Sequence, residues 1–103
     1  MIYRIEFSPR AEAEISDAAR FIARDSPLNA RRWYDGIFEA IMGLDEMPHR
    51  YAFAREKETL NIELRQLVFK SYRVIFSVKD DLVKIHRVIH TARDVLKSPD
   101  ELD

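Results

Sequence analysis

The sequence predicts an α+β fold: an N-terminal strand, an antiparallel helical hairpin, then a three-strand antiparallel meander. Three observations carry this. Residues 72–78, Tyr-Arg-Val-Ile-Phe-Ser-Val, are aromatic or β-branched almost throughout, and alternation resumes from Leu82 to Thr91 after Asp80-Asp81, so the stretch reads as a β-hairpin. Ala30, Trp33, Tyr34, Ile37, Phe38, Ile41 and Leu44 recur at steps of three and four, the spacing of an amphipathic helix. Met1 to Phe7 alternates, with Ile2, Arg4 and Glu6 against Tyr3, Ile5 and Phe7, as a half-buried strand does.

Each element has its own signals. Ser8-Pro9 is a helix start, with Ser8 as N-cap and Pro9 at the first helical position. The first helix runs to about Arg24, with a small-residue stripe of Ala11, Ile15, Ala18, Ala19 and Ile22. Asp25 or Ser26, followed by Pro27, ends it and begins the second, which Met47-Pro48 stops because proline cannot continue a helix. So short a link makes the two helices an antiparallel hairpin. His49 to Asn61 shows no sustained period and reads as a long connection. Ile62 to Phe69 alternates again, and Lys70-Ser71 is the tight turn into Tyr72. In the last hairpin, Val83, Ile85 and Ile89 are expected on one face with Arg87 among them. Lys84, His86, Val88 and His90 are expected on the other, which with Arg73 makes an open, basic sheet surface. The acidic end, Lys97 to Asp103, is expected to fray.

At 103 residues the chain fits one domain, spanning 1–103. Hydrophobic residues make up 47% and charged residues 34%, the balance of a soluble globular protein. Cysteine is absent, which removes disulfide and thiolate chemistry and fits a cytoplasmic location. No apolar run approaches the ~18 residues of a membrane span. The first ten residues read as a charged strand, not a secretion signal. The net charge of −1 hides a polarity. Residues 1–48 hold 6 basic and 9 acidic residues, residues 49–93 hold 10 and 5, and residues 94–103 hold one and four. A basic sheet of this kind suits an acidic partner or a phosphate backbone, although a small mixed surface also fluctuates this much.

Few residues point to bond-making chemistry. His86 and His90 lie four apart on one strand, ~13 Å at ~3.3 Å per residue, too far to share a metal ion, so no metal and no cofactor is expected. His90 alone suits an acid or base, with a surface or capping histidine as the plainer reading. Arg65, Arg73, Arg87 and Arg93 lie on or just past adjacent strand segments. They either converge on a partner or pair across strands with Glu63, Asp80 or Asp94. In the long connection, Tyr51 and Phe53 stand among Arg50, Arg55 and Lys57, which suits either a nucleic-acid surface or a loop pinned by its aromatics. Trp33 fits its helical stripe too well to be read as a ligand platform. The two glycines, Gly36 and Gly43, both fall in the second helix, so there is no phosphate loop.

Leu64-Arg65, Tyr72-Arg73-Val74-Ile75-Phe76, the Asp80-Asp81 turn, Ile85 to His90 and Arg93-Asp94 together resemble, in order and spacing, the ParE/RelE superfamily of toxins from bacterial toxin–antitoxin pairs. The likeness covers nearly the whole chain. It implies a toxin neutralised by a cognate antitoxin in a hetero-oligomer, and it has two branches. ParE-like members poison DNA gyrase; RelE-like members cleave messenger RNA on the ribosome. The ribonuclease branch resembles a set of loop lysines, an arginine before the Tyr-Arg motif, an arginine after the last strand and a tail tyrosine. Arg93 matches the third, and Lys57 can stand for the first. The second position is Val68, the fourth falls near Pro99, and no tyrosine follows Tyr72. The resemblance therefore favours the ParE-like branch, with Arg65, Arg73, Arg87, His90 and Arg93 as target contacts and Ile15, Ala19, Ile22 and Trp33 as antitoxin contacts. The alternatives are a RelE-like ribonuclease using His90 and Arg93, or a partner-binding module without toxicity.

Overall fold

Strand β1 (Arg4–Phe7) leads through the Ser8 cap into helix α1 (Pro9–Ala23), and Ser26 caps α2 (Pro27–Met42). The computed structural model describes residues 2–93 and 95–103. Ser8 caps as the sequence predicts, its Oγ accepting from the Ala11 N–H at 3.0 Å, and of Asp25 and Ser26 it is Ser26 that caps α2, its Oγ accepting from the Asn29 N–H at 3.1 Å. A short helix, α3 (Glu56–Leu60), follows, then β2 (Arg65–Phe69), β3 (Tyr72–Lys79) and β4 (Leu82–His90). The sheet order is β1-β4-β3-β2, with the last three strands antiparallel and β1 parallel to β4. Both tight turns need a left-handed residue, supplied by Lys70 (φ 51°) and Asp80 (φ 54°). The long connection is more structured than expected: besides α3, Phe53 forms an isolated bridge to Arg65.

The hairpin covers one face of the sheet. Ala11, Ile15, Ala18, Trp33, Ile37, Ile41 and Leu44 pack against Leu67, Val74, Phe76, Val83, Ile85 and Val88. Tyr34 and Phe38, expected in the same stripe, instead stay half-exposed on its flank. Helix α2 lies close over β2 at Gly36, where an added Cβ would meet Phe69 Cζ at 2.6 Å. Gly36→Ala gains about 1 kcal/mol of helix propensity against an overpacking cost of about 1–3 kcal/mol at the Phe69 ring, so a net loss of about 1 kcal/mol is expected. A urea midpoint equal to that of the parent would contradict this contact.

The second face departs from the expected open basic surface. The β3–β4 register passes from Phe76↔Ile85 to Ile75↔Arg87, which leaves His86 as an extra residue. A bulge shifts the alternation by one. Val88 therefore joins Val83 and Ile85 under the hairpin, and Ile89 turns to the opposite face beside Ile75. There Ala54, Leu60, Leu64, Leu96 and Leu102 close a second apolar cluster. The C-terminal segment is thus a strap across the sheet, not a frayed end. It is fixed by Arg10 and Arg87, which donate to the Glu101 carbonyl, and by Asp103, which meets His86 Nδ1 at 2.9 Å and Lys84 Nζ at 3.4 Å.

Candidate functional site

Of the five arginine and histidine positions singled out in the sequence, the fold brings two together and separates the rest. Arg73 points to the strap side, 2% exposed, and forms a two-pronged pair with Glu56 of α3 at 2.8 and 2.7 Å. The Glu56 carboxylate also accepts from the Leu96 N–H at 3.1 Å. Burial alone would raise the pKa of this carboxyl, but the hydrogen bonds from Arg73 and Leu96 override it and hold it at about 2. Arg87, 1% exposed, lies where β1 has ended and left the edge of β4 open. Glu14 of α1 fills that gap, accepting from Arg87 Nη2 at 2.7 Å and from the Val88 N–H at 3.0 Å. Arg73 and Arg87 are therefore spent inside the fold and offer no donor to a target. Their partners, Glu56 and Glu14, escape sequence reasoning because they lie 17 and 73 residues away on other elements.

Arg65 is partly buried. Its Nη1 donates to the carbonyls of His49 and Tyr51, at 3.0 and 2.7 Å, and its guanidinium lies 4.2 Å from the centroid of the Phe53 ring. Lys57 Nζ lies 3.9 Å from that same centroid. The long connection is thus pinned by its aromatics and still shows cations at its surface. Among the expected pairings, only Glu63 approaches Arg65, at 3.9 Å. Asp94 lies outside the described residues.

His90 and Arg93 remain exposed and share a shallow concavity with Glu14, Asp17, Tyr72 and Val88. The His90 ring meets Tyr72 edge-on at 5.3 Å, and Tyr72 meets Trp33 at 5.0 Å. His90 Nδ1 accepts from the Ala92 N–H at 3.0 Å, which places the ring hydrogen on Nε2. Nδ1 is therefore occupied, while Nε2 has no hydrogen-bond partner among the described residues. His86 is occupied differently: its Nε2 meets Ser77 Oγ at 2.8 Å, on the strap side of the sheet.

The four hairpin residues expected to meet a partner turn mostly inward, yet each borders a surface concavity. Ile15 lines one with Phe7, Tyr34 and Phe38; Ala19 lines a second with Ala30 and Tyr34; Ile22 and Trp33 line a third. Beside them runs apolar surface that the core does not use: Phe21 (63% exposed), Leu28, Tyr34, Phe38 and Met42. Phe38 stacks between Phe7 and Tyr34, at 6.3 and 6.4 Å, so these three rings make a preformed ridge. The sequence signal for it was a stripe on α2 wider than one sheet face can cover.

A two-helix hairpin laid across a β1-β4-β3-β2 sheet is the architecture this chain shares with a solved chain titled "Chromosomal ParDE TA system from P. aeruginosa". That likeness has a TM-score of 0.68 and 17% identity, over 86% of this chain and 96% of that one, and is one of fold. The family profile described as ParE toxin of type II toxin-antitoxin system, parDE, matches residues 5–95, and the chain belongs to that family. No curated protein matches. No helix among the described residues is long and apolar enough to cross a membrane.

Proposed function

We propose that this chain is the toxin of a cytoplasmic type II toxin–antitoxin pair, that it acts by binding DNA gyrase, and that an antitoxin neutralises it by covering the hairpin ridge. Membership of the ParE toxin family over residues 5–95 carries the reading. Two observations support binding over bond cleavage. Arg73 is closed off by Glu56, which removes one cation from a developing phosphorane charge, and His90 Nδ1 is taken by the Ala92 amide, which removes one of the two ring nitrogens a base could use. The ridge of Phe7, Phe38 and Tyr34, with Phe21, Leu28 and Met42 also exposed on the hairpin, supports the antitoxin, because exposed apolar surface of this kind marks interaction sites.

Exposed His90 and Arg93, with Lys57 and the rim of Arg65, are the groups we assign to the target. Induced expression is expected to arrest growth and to trap cleaved DNA on gyrase. Arg93→Ala should weaken gyrase poisoning roughly tenfold or more with an unchanged thermal midpoint. His90→Ala should have a mild, pH-independent effect. The exposed pairing of His90 with Tyr72 and Arg93 is what a ribonuclease reading would use. On that reading His90→Ala would cost on the order of 10²–10⁴-fold in rate. Codon-phased messenger RNA ends that vanish in His90→Ala, with gyrase untouched, would replace the gyrase reading by the ribonuclease.

A further inference from the structure

Ser77, His86 and Asp103 form a hydrogen-bonded row on the strap side of the sheet. Ser77 Oγ lies 2.8 Å from His86 Nε2, and Asp103 Oδ1 lies 2.9 Å from His86 Nδ1. Ser77 comes from β3, His86 is the bulged residue of β4, and Asp103 belongs to the strap, so three elements supply one row. A carboxylate can only accept a hydrogen bond, so the hydrogen of the neutral imidazole sits on Nδ1, and Nε2 offers its lone pair to the Ser77 hydroxyl. That is the tautomer a histidine needs to take a proton from a serine. The two nitrogens lie on opposite edges of the ring, so Asp103 orients the imidazole without covering the serine.

Three further features suit proton transfer here. His86 is 8% exposed and held at both ring nitrogens, so its orientation is fixed before any reagent arrives. It is also the residue that the β4 bulge adds, and bulges re-aim side chains and recur beside active sites. Lys84 lies directly opposite Ser77 in the β3–β4 ladder, at a Cβ separation of ~5 Å, and its Nζ is 3.4 Å from Asp103 Oδ2. It therefore sets an ammonium beside any negative charge that develops on a group bonded to Ser77 Oγ. The row stands on the sheet face opposite the hairpin, apart from the apolar ridge.

We propose that Ser77 is a nucleophile that accepts an acyl group from a small activated ester, with His86 as general base and Asp103 as the residue that positions His86. Ser77 Oγ bonds to the carbonyl carbon of the ester while its proton passes to His86 Nε2. The carbonyl electron pair moves onto oxygen, where Lys84 faces it. When that pair returns, the bond from carbon to the leaving oxygen breaks. The alcohol departs with the proton from Nε2, or as the free anion when it is a good leaving group, and Ser77 is left as an acyl ester. The row lies along a strand surface with the strap at one end, so the acyl group it takes is a short one.

The probe is p-nitrophenyl acetate, added to the full chain and quenched in acid at early times, with the acetylated residues located by peptide mapping. Ser16 and Ser71 are more exposed than Ser77 and serve as references within the same chain. Ser77 should acetylate on the order of 10²-fold faster than either. Hydroxylamine should then remove its acetyl ester and leave any acetyl-lysine in place. His86→Gln should bring Ser77 down to the rate of the reference serines. Asp103→Asn should slow it about tenfold or more at an unchanged thermal midpoint. One amide oxygen cannot serve both His86 Nδ1 and Lys84 Nζ, and an amide nitrogen facing the ring moves the ring hydrogen to Nε2. Acetylation of Ser77 no faster than that of Ser16 and Ser71 overturns the proposal, and this comparison needs only the parent chain. A Ser77 rate undiminished in both variants overturns it as well, and leaves the row as a fastening for the strap.

Discussion

Glu56→Gln is expected to destabilise the fold by about 3–5 kcal/mol, the cost of breaking one side of a buried ion pair. Glu56 is 0% exposed and joins three elements: α3, which carries it, Arg73 of β3, and the strap through the Leu96 amide. The glutamine leaves a guanidinium sealed from water without its counter-charge: one amide oxygen cannot serve Arg73 and the Leu96 amide together, Arg73 Nε is already unpartnered, and the other acceptor near the guanidinium is Gln66 Oε1 at 3.1 Å. The double variant Glu56→Leu/Arg73→Met should recover much of the loss, because no buried charge is then unpaired. Urea unfolding checks this, and a loss below about 1 kcal/mol for Glu56→Gln would show that the pair contributes little. The pair also sets a pH dependence. The folded-state pKa of Glu56 is depressed, from an ordinary 4.5 to about 2. Its contribution is therefore fully present above pH 4.5 and is lost as pH falls from there towards 2. Glu56→Gln should flatten that part of the stability curve, and a curve with unchanged slope would locate the acid sensitivity elsewhere.

Glu14→Ala is expected to cost about 3 kcal/mol. Its carboxylate accepts from Arg87 Nε at 3.0 and 3.1 Å, from Nη2 at 2.7 Å and from the Val88 amide at 3.0 Å. Removing it strands a buried cation and an unpaired strand-edge amide together. Arg87 would keep only the Glu101 carbonyl, so the strap should loosen as well. Two measurements report this: the urea midpoint and amide exchange at Val88. Glu14→Gln, which keeps an acceptor for the Val88 amide, should retain part of the protection. Equal exchange at Val88 in the parent and in Glu14→Ala would show that the amide is protected by something other than this carboxylate.

Local pattern was enough for the elements. Ser8-Pro9 and Ser26-Pro27 start helices because a capping oxygen and a fixed proline φ act within one turn. The stripe on α2 and the alternation of Tyr72 to Val78 identify a helix and a strand because each period is set by the backbone alone. The order of these elements, with the Tyr-Arg-Val-Ile-Phe run, also sufficed to suggest the ParE/RelE superfamily.

Only the tertiary structure decided which side chains are available. One bulged residue, His86, exchanged the faces of Val88 and Ile89, and a single inserted residue leaves no trace in an alternating pattern. Arg73 and Arg87 look like surface cations in sequence because Glu56 and Glu14 reach them from α3 and α1. The acidic end looked free because the apolar contacts of Leu96 and Leu102 lie across the sheet, in a cluster with Ile75 and Ile89. Ser77, His86 and Asp103 meet only once the strap is laid across the sheet. Backbone preference acts over a few residues and is written in their order. Desolvation and charge pairing act through space, so they are settled only when the chain has folded.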